Sequence, residues 1–67
     1  MEDYKIGMGK RMRDQRKLLH MTQEQLAEWL SCDIRTVQRY EAGVKSPTRE
    51  QLFSMAKLYD CRPAELL

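Results

Sequence analysis

Residues 22–43, which read TQEQLAEWLSCDIRTVQRYEAG, constrain the fold more than any other part of the chain. Thr22 is a good N-cap, and Gln25, one helical turn later, completes the capping box that begins a helix. Asp33 closes a short turn and can cap a second helix. Gly43 ends that helix, because glycine adopts a left-handed conformation without steric cost. The segment therefore predicts two short helices joined by a tight turn.

The residues of these two helices divide into inward and outward faces. Helical spacing places three apolar residues of the first on its inward side, Leu26, Ala27 and Leu30. In the second helix, Val37 and Tyr40 face inward. Its opposite side carries Arg35, Gln38, Arg39 and Ala42. A helix, a short turn and a helix with a basic free face is an arrangement that reads the DNA major groove, so the pattern predicts DNA binding by helix 34–42.

The same segment resembles the Cro/repressor-like (Xre-type) helix-turn-helix family. That family combines a basic first helix, the pattern T-Q-x-x-L-A, a small turn and a recognition helix ending in R-Y-E-x-G. The matching residues here are Thr22, Gln23, Leu26, Ala27, Thr36, Arg39, Tyr40, Glu41 and Gly43. The resemblance extends over residues 5–67, because Ser46-Pro47-Thr48 matches the start of a proline-led fourth helix and residues 63–67 match a short fifth helix.

Both the resemblance and the periodicity predict an all-α fold, a compact bundle of five short helices with helices two and three as the helix-turn-helix. Sixty-seven residues can bury only one modest core. We expect a flexible arm over residues 1–4 and a single DNA-binding domain over residues 5–67. The first helix should end at Leu19, with an inward stripe of Met8, Met12 and Leu19.

Several protein classes are disfavoured by composition. No apolar run approaches the roughly 20 residues that span a membrane, and the N-terminus lacks a signal-peptide core, so we expect a cytoplasmic protein. Cys32 and Cys61 lack zinc-site spacing, and we favour reduced packing residues over a disulfide. His20 is the only histidine and has no obvious nucleophile or metal partner. We therefore expect no metal, no cofactor and no enzymatic activity.

The net charge is only +2, so the distribution of charge is more informative than the total. One basic run lies on the first helix, at Lys5, Lys10, Arg11, Arg13, Arg16 and Lys17. This run is either a solvated face or a DNA contact, and the sequence leaves both open. A second cluster surrounds the recognition helix, at Arg35, Arg39, Lys45 and Arg49. Its position favours DNA contact.

Four residues are predicted to contact bases, Arg35, Arg39, Ile34 and Gln23. Arg35 and Arg39 lie one turn apart, and arginine can donate two hydrogen bonds to guanine O6 and N7. Ile34 either presses on a thymine methyl group or helps to cap the core. The resemblance implies that Gln23 binds phosphate and braces a polar side chain at the place of Ile34, but isoleucine cannot accept that bracing.

Further residues are predicted to contact phosphates, which positions a protein without reading sequence. They are Thr22, Thr36, Gln38, Lys45, Arg49 and Arg16. Glu41 lies on the inward flank of helix three, four residues after Val37, and an unpaired buried carboxylate is costly. The resemblance implies that Arg16 is its partner. We therefore expect a structural ion pair between Arg16 and Glu41.

The family usually has glycine after helices one, two and four, where this chain has His20, Ser31 and Asp60. If these residues are left-handed, each costs on the order of 1 kcal/mol. Trp29 lies off the inward face of helix two. It either covers the rim of the core or contacts a second subunit or partner, as exposed tryptophans often do.

The predicted function is sequence-specific binding of double-stranded DNA by a transcriptional regulator, with a repressor favoured by analogy. The alternative is a protein-interaction module of the same fold, such as an antitoxin-like or regulatory partner. A palindromic operator would place two copies about 34–36 Å apart. Either the chain is a fragment of a longer regulator, or homodimers form weakly on DNA.

Overall fold

The computed structural model describes residues 4–67, and its regular secondary structure in that range is helical throughout. The α-helices are α1 (Tyr4–Leu18), α2 (Gln23–Leu30), α3 (Ile34–Glu41) and α4 (Arg49–Leu58), and a 3₁₀ helix follows at Pro63–Leu66. The all-α fold class is confirmed. None of these helices is long and apolar enough to cross a membrane. Residues 1–3 of the predicted arm lie outside the described range, whereas Tyr4 is already helical.

The prediction of a fifth α-helix was wrong, because Pro63–Leu66 forms a 3₁₀ helix instead. The bonds that define it span three residues, from Glu65 N–H to the Arg62 carbonyl and from Leu67 N–H to the Ala64 carbonyl. A segment this short, led by a proline that has no N–H, cannot build a ladder of α-helical bonds. It still places Leu66 in the core, where the side chain is 1% exposed.

Side-chain caps define the helix starts that the sequence predicted. The Thr22 hydroxyl accepts a bond from Gln25 N–H at 3.1 Å, and the Gln25 side chain accepts one from Thr22 N–H at 2.8 Å. The carboxylate of Asp33 accepts a bond from Arg35 N–H at 2.8 Å at the start of α3. Thr48 begins α4 with a second capping box. Because caps like these use neighbouring residues only, α2 and α3 begin where the sequence predicted. Helix α3 ends at Glu41, one residue before the predicted end at Ala42.

One continuous core joins all the elements. It contains Met8, Met12, Leu26, Ala27, Leu30, Val37, Tyr40, Met55, Ala56, Tyr59 and Leu66. The inward faces predicted for α2 and α3 are confirmed. Leu19 was wrongly placed inward, since it is 44% exposed. The inward stripe of α1 ends instead at Arg16, one turn after Met12, and α1 stops before Leu19.

Cys32 and Cys61 are free thiols that pack, partly buried, against this core. Burial raises the pKa of both thiols, and nearby carboxylates add to the effect. A raised pKa means less thiolate at neutral pH, and therefore low reactivity. These cysteines behave as small packing residues in this structure.

Among residues 4–67, three residues other than glycine occupy the left-handed region, His20 and Ser31 with φ 56° and Asp60 with φ 54°. They follow α1, α2 and α4, which are the three places where the sequence predicted strain. Gly43, with φ 77°, occupies the left-handed region after α3. In the described part of the chain, each α-helix is therefore followed by a left-handed residue, which is glycine only after α3.

A close contact between α1 and the end of α3 lies at Gly9, which the sequence did not single out. A Cβ on Gly9 would lie 2.3 Å from the Tyr40 carbonyl oxygen and 2.8 Å from that of Glu41. Both neighbours are backbone atoms at the end of α3, so they cannot rotate away. The absence of a side chain at Gly9 thus lets the backbone of α1 lie directly against the end of α3.

We expect Gly9→Ala to destabilise the fold by at least about 1–3 kcal/mol, since the added carbon forces α1 away from α3. Gly7→Ala is the matched control on the same helix, because a Cβ there meets only the movable Arg11 guanidinium, at 2.9 Å. Alanine at Gly7 should instead stabilise by up to about 1 kcal/mol through helix propensity. Urea denaturation measures both, and equal effects would contradict the close contact.

Ser31→Gly should stabilise the protein by about 1 kcal/mol, because glycine removes the cost of the left-handed conformation. Ser54→Gly is the control, since Ser54 lies inside α4 and glycine there should destabilise by a few tenths of a kcal/mol. Thermal melting of the two variants gives the comparison. A lower melting temperature for Ser31→Gly would refute the strain.

Candidate nucleic-acid interface

Helix α3 is buried on one side and free on the other. Val37, Tyr40 and Glu41 are buried. The exposed side carries Arg35, Gln38, Arg39 and Ala42. These four residues, called the free face below, are those the sequence placed outward. All four side chains are exposed to solvent.

A buried ion pair joins the end of α1 to the end of α3. Arg16 Nε donates to Glu41 Oε2 at 2.7 Å, and Arg16 Nη2 donates to Glu41 Oε1 at 3.0 Å. The two side chains are only 10% and 4% exposed. Arg16 Nη1 also donates to the Met21 carbonyl at 2.8 Å, which ties down the loop before α2. The hydrogen bond with Glu41 is the main cause that raises the pKa of Arg16.

The ion pair bears on the predicted contact between Arg16 and phosphate. Arginine has five N–H donors, and Arg16 uses three of them inside the protein. The guanidinium is therefore first a structural group. Because two donors remain, a phosphate contact stays a prediction for Arg16.

Gln23, the first residue of α2, extends the network to the free face. Its Nε2 donates to Glu41 Oε1 at 3.1 Å, and its Oε1 accepts a bond from Gln38 Nε2 at 3.4 Å. The family pattern implied a bracing partner at Ile34, but the structure supplies one at Gln38, one turn later on the same helix. Sequence reasoning missed this pairing. The sequence did contain a signal for it, because Gln38 is a glutamine one helical turn after Ile34 and could take the bracing role that isoleucine cannot.

Helices α2 and α4 support α3 from different flanks. Gln23 of α2 contacts Gln38, whereas Gln51 of α4 accepts a hydrogen bond from the Tyr40 hydroxyl. Gln38 and Tyr40 are about 160° apart around a helix with 3.6 residues per turn. The starts of α2 and α4 therefore lie on either side of the helix that carries the free face.

The remaining predicted contact residues are Thr22, Lys45, Arg49 and Thr36. Thr22 is the N-cap of α2, and Lys45 lies exposed in the loop after α3. Arg49 is the first residue of α4, and its guanidinium carbon lies 5.5 Å from the centre of the Phe53 ring. Thr36 is half-buried in α3. Exposed N–H groups and cations at helix starts suit an anionic ligand.

Ile34 and Trp29 are both partly exposed, so both alternatives stay open for each. Ile34 can contact a thymine methyl group or cap the core, and Trp29 can cover the rim of the core or contact a partner. Ile34 begins α3 with 38% of its surface accessible. Trp29 is 49% exposed, and its Nε1 donates to the Ser54 carbonyl at 3.3 Å. That bond joins α2 to α4. Trp29 thus serves at the rim of the core while leaving half of its surface to solvent.

Comparisons with known proteins give one family and two relatives. A family model described as helix-turn-helix matches residues 12–66. The chain is 36% identical over all of its 67 residues to the HTH-type transcriptional regulator DicA of Escherichia coli (strain K12), and it spans 50% of that protein's length. The crystal structure of the restriction-modification controller protein C.AhdI from Aeromonas hydrophila superposes with a TM-score of 0.83 at 27% identity. That match covers 94% of this chain and 96% of the controller chain.

Removing either partner of the buried ion pair should cost about 3–5 kcal/mol, because the other charge stays buried without its partner. We expect Arg16→Met and Glu41→Leu each to lose that much in urea denaturation. The double variant Arg16→Met/Glu41→Leu should lose much less than the sum of the two, since no unpaired charge remains. Additive losses would show that the two side chains are not energetically coupled.

Proposed function

Because this chain belongs to the Cro/repressor-like helix-turn-helix family, we propose that it binds specific double-stranded DNA sequences and regulates transcription. Both relatives carry regulatory names, one a transcriptional regulator and the other a restriction-modification controller. The observation that carries the proposal is the free face of α3, which presents Arg35 and Arg39 while the opposite side is locked into the core. Such a helix fits the major groove.

The proposed contacts divide into base readout and positioning. Arg35 and Arg39 read guanines, and Ile34 contacts a thymine methyl group. Gln23 lies at the edge of the groove, where it contacts phosphate or the adjoining base. The positioning contacts to phosphate come from Thr22, Thr36, Lys45, Arg49 and the remaining donors of Arg16. These groups belong to several elements, so together they orient α3 on the duplex.

We further propose a palindromic operator bound by two copies, with repression as the outcome. In a dimer, α3 of each copy would enter successive major grooves on one side of the duplex. The protein would act in the cytoplasm as a binding protein without enzymatic activity. The second candidate is a protein-interaction module, favoured by the exposure of Trp29 (49%) and Phe53 (48%).

Selection of bound sequences from a random duplex pool tests the proposal, followed by the affinity of the best sequence across a salt series. We expect an enriched motif with guanines at fixed spacing, and a steep loss of affinity as salt rises. A palindromic motif would support two copies on the operator. Weak binding without any enriched sequence would contradict specific recognition and favour the protein-interaction function.

Arg39→Ala should lower the preference for guanine at one motif position by about 1–3 kcal/mol and leave the melting temperature unchanged. Lys57→Ala is the matched control, because Lys57 is an exposed cation in the last turn of α4, at the opposite end from Arg49. It should change neither the motif nor the affinity. Fluorescence anisotropy on the best duplex and its single-base variants gives both values. Equal losses in the two variants would point to general charge rather than base readout.

A further inference from the structure

Four side chains form a hydrogen-bonded network from the core to the free face. They are Arg16, Glu41, Gln23 and Gln38. We propose that this network makes Gln38 an adenine-reading residue and Gln23 the positioning residue that sets the direction of the Gln38 amide. The inference rests on the proposed DNA-binding function. It replaces the predicted phosphate contact of Gln38 with a base contact, and it replaces the predicted base contact of Gln23 with a positioning role, so that only a phosphate contact is left to Gln23.

The direction of each amide follows from the buried pair. A guanidinium only donates hydrogen bonds, and an ionised carboxylate only accepts them. Glu41 Oε1 must therefore receive the Nε2 group of Gln23 rather than its Oε1, as observed at 3.1 Å. Gln23 then offers Oε1 to α3, and Gln38 meets it with Nε2 at 3.4 Å. Reversing either amide would place two donors or two acceptors against each other.

The hydrogen-bonding groups that Gln38 retains are one acceptor and one donor. Its Nε2 gives one N–H to Gln23, which leaves Oε1 and the second N–H for a ligand. Adenine presents an N7 acceptor and an N6 donor side by side in the major groove, and glutamine pairs with both. Guanine presents two acceptors there, so Gln38 Oε1 would face guanine O6 unfavourably.

The position of Gln38 agrees with this role. The residue is exposed on the free face, next to Arg39 and one turn after Arg35. A groove-bound α3 therefore carries all three side chains into the same half-site. Ile34, one turn before Gln38, has no polar group that could take the bond from Gln23.

The test repeats the random-pool selection with the wild type, Gln38→Ala, Gln23→Met and Gln15→Ala. Gln15→Ala is the matched control, because Gln15 lies on α1 near the 3₁₀ helix. We expect one adenine in the wild-type motif whose preference over other bases, about 5- to 150-fold, is lost in Gln38→Ala. Gln23→Met should weaken the same preference and leave the guanine positions unchanged, whereas Gln15→Ala should keep the full motif.

The outcomes separate this inference from the function on which it rests. A wild-type motif with guanines that Gln38→Ala does not alter overturns adenine reading, while DNA recognition stands. A full adenine preference in Gln23→Met overturns the positioning role. No enriched wild-type motif overturns the proposed function itself. Thermal melting of each variant identifies unfolding, and Gln38→Asn then serves as a second folded variant whose shorter amide should also lose the adenine preference.

Discussion

The Arg16–Glu41 ion pair is the interaction on which the arrangement of the other elements depends. It closes the junction between α1, the loop before α2, and the end of α3, all within one buried site. Burying two charges is costly unless the geometry is good and the remaining lone pairs are satisfied. Here both carboxylate oxygens accept bonds, and no buried side-chain polar atom within residues 4–67 lacks a partner. The pair therefore meets this condition while it joins the end of α1 to the end of α3.

The same junction relates the core to the interface. Gly9 lets α1 approach the end of α3, and the guanidinium of Arg16 on the same helix contacts Glu41 there. Glu41 then determines the direction of the Gln23 amide, whose far end lies at the free face. A substitution at Glu41 should thus affect both folding and recognition, whereas one at Arg39 should affect recognition alone. This difference follows from burial, since Glu41 is 8% exposed and Arg39 is on the solvent side.

Particular elements show which parts of the site the sequence could predict. The outward position of Arg35 and Arg39 follows from helical periodicity, which requires no knowledge of the neighbouring helices. The capping boxes at Thr22 and Thr48 likewise involve residues within a single turn. The predictions of an inward Leu19 and of a fifth α-helix were wrong for a different reason. In both places the chain departs from a regular α-helix, so helical periodicity no longer predicts which side chains are buried, and packing against the other helices decides it.

The sequence alone determined the starts of α2 to α4 and the inward faces of α2 and α3. It also determined the positions of the strained residues His20, Ser31 and Asp60. Each depends on interactions among neighbours along the chain, whose geometry a few dihedral angles define. Only the tertiary structure decided the contact at Gly9 and the partner of Gln23, which lies 15 residues away in Gln38. Contacts of that separation depend on how whole helices cross, and the same residue types permit several crossings.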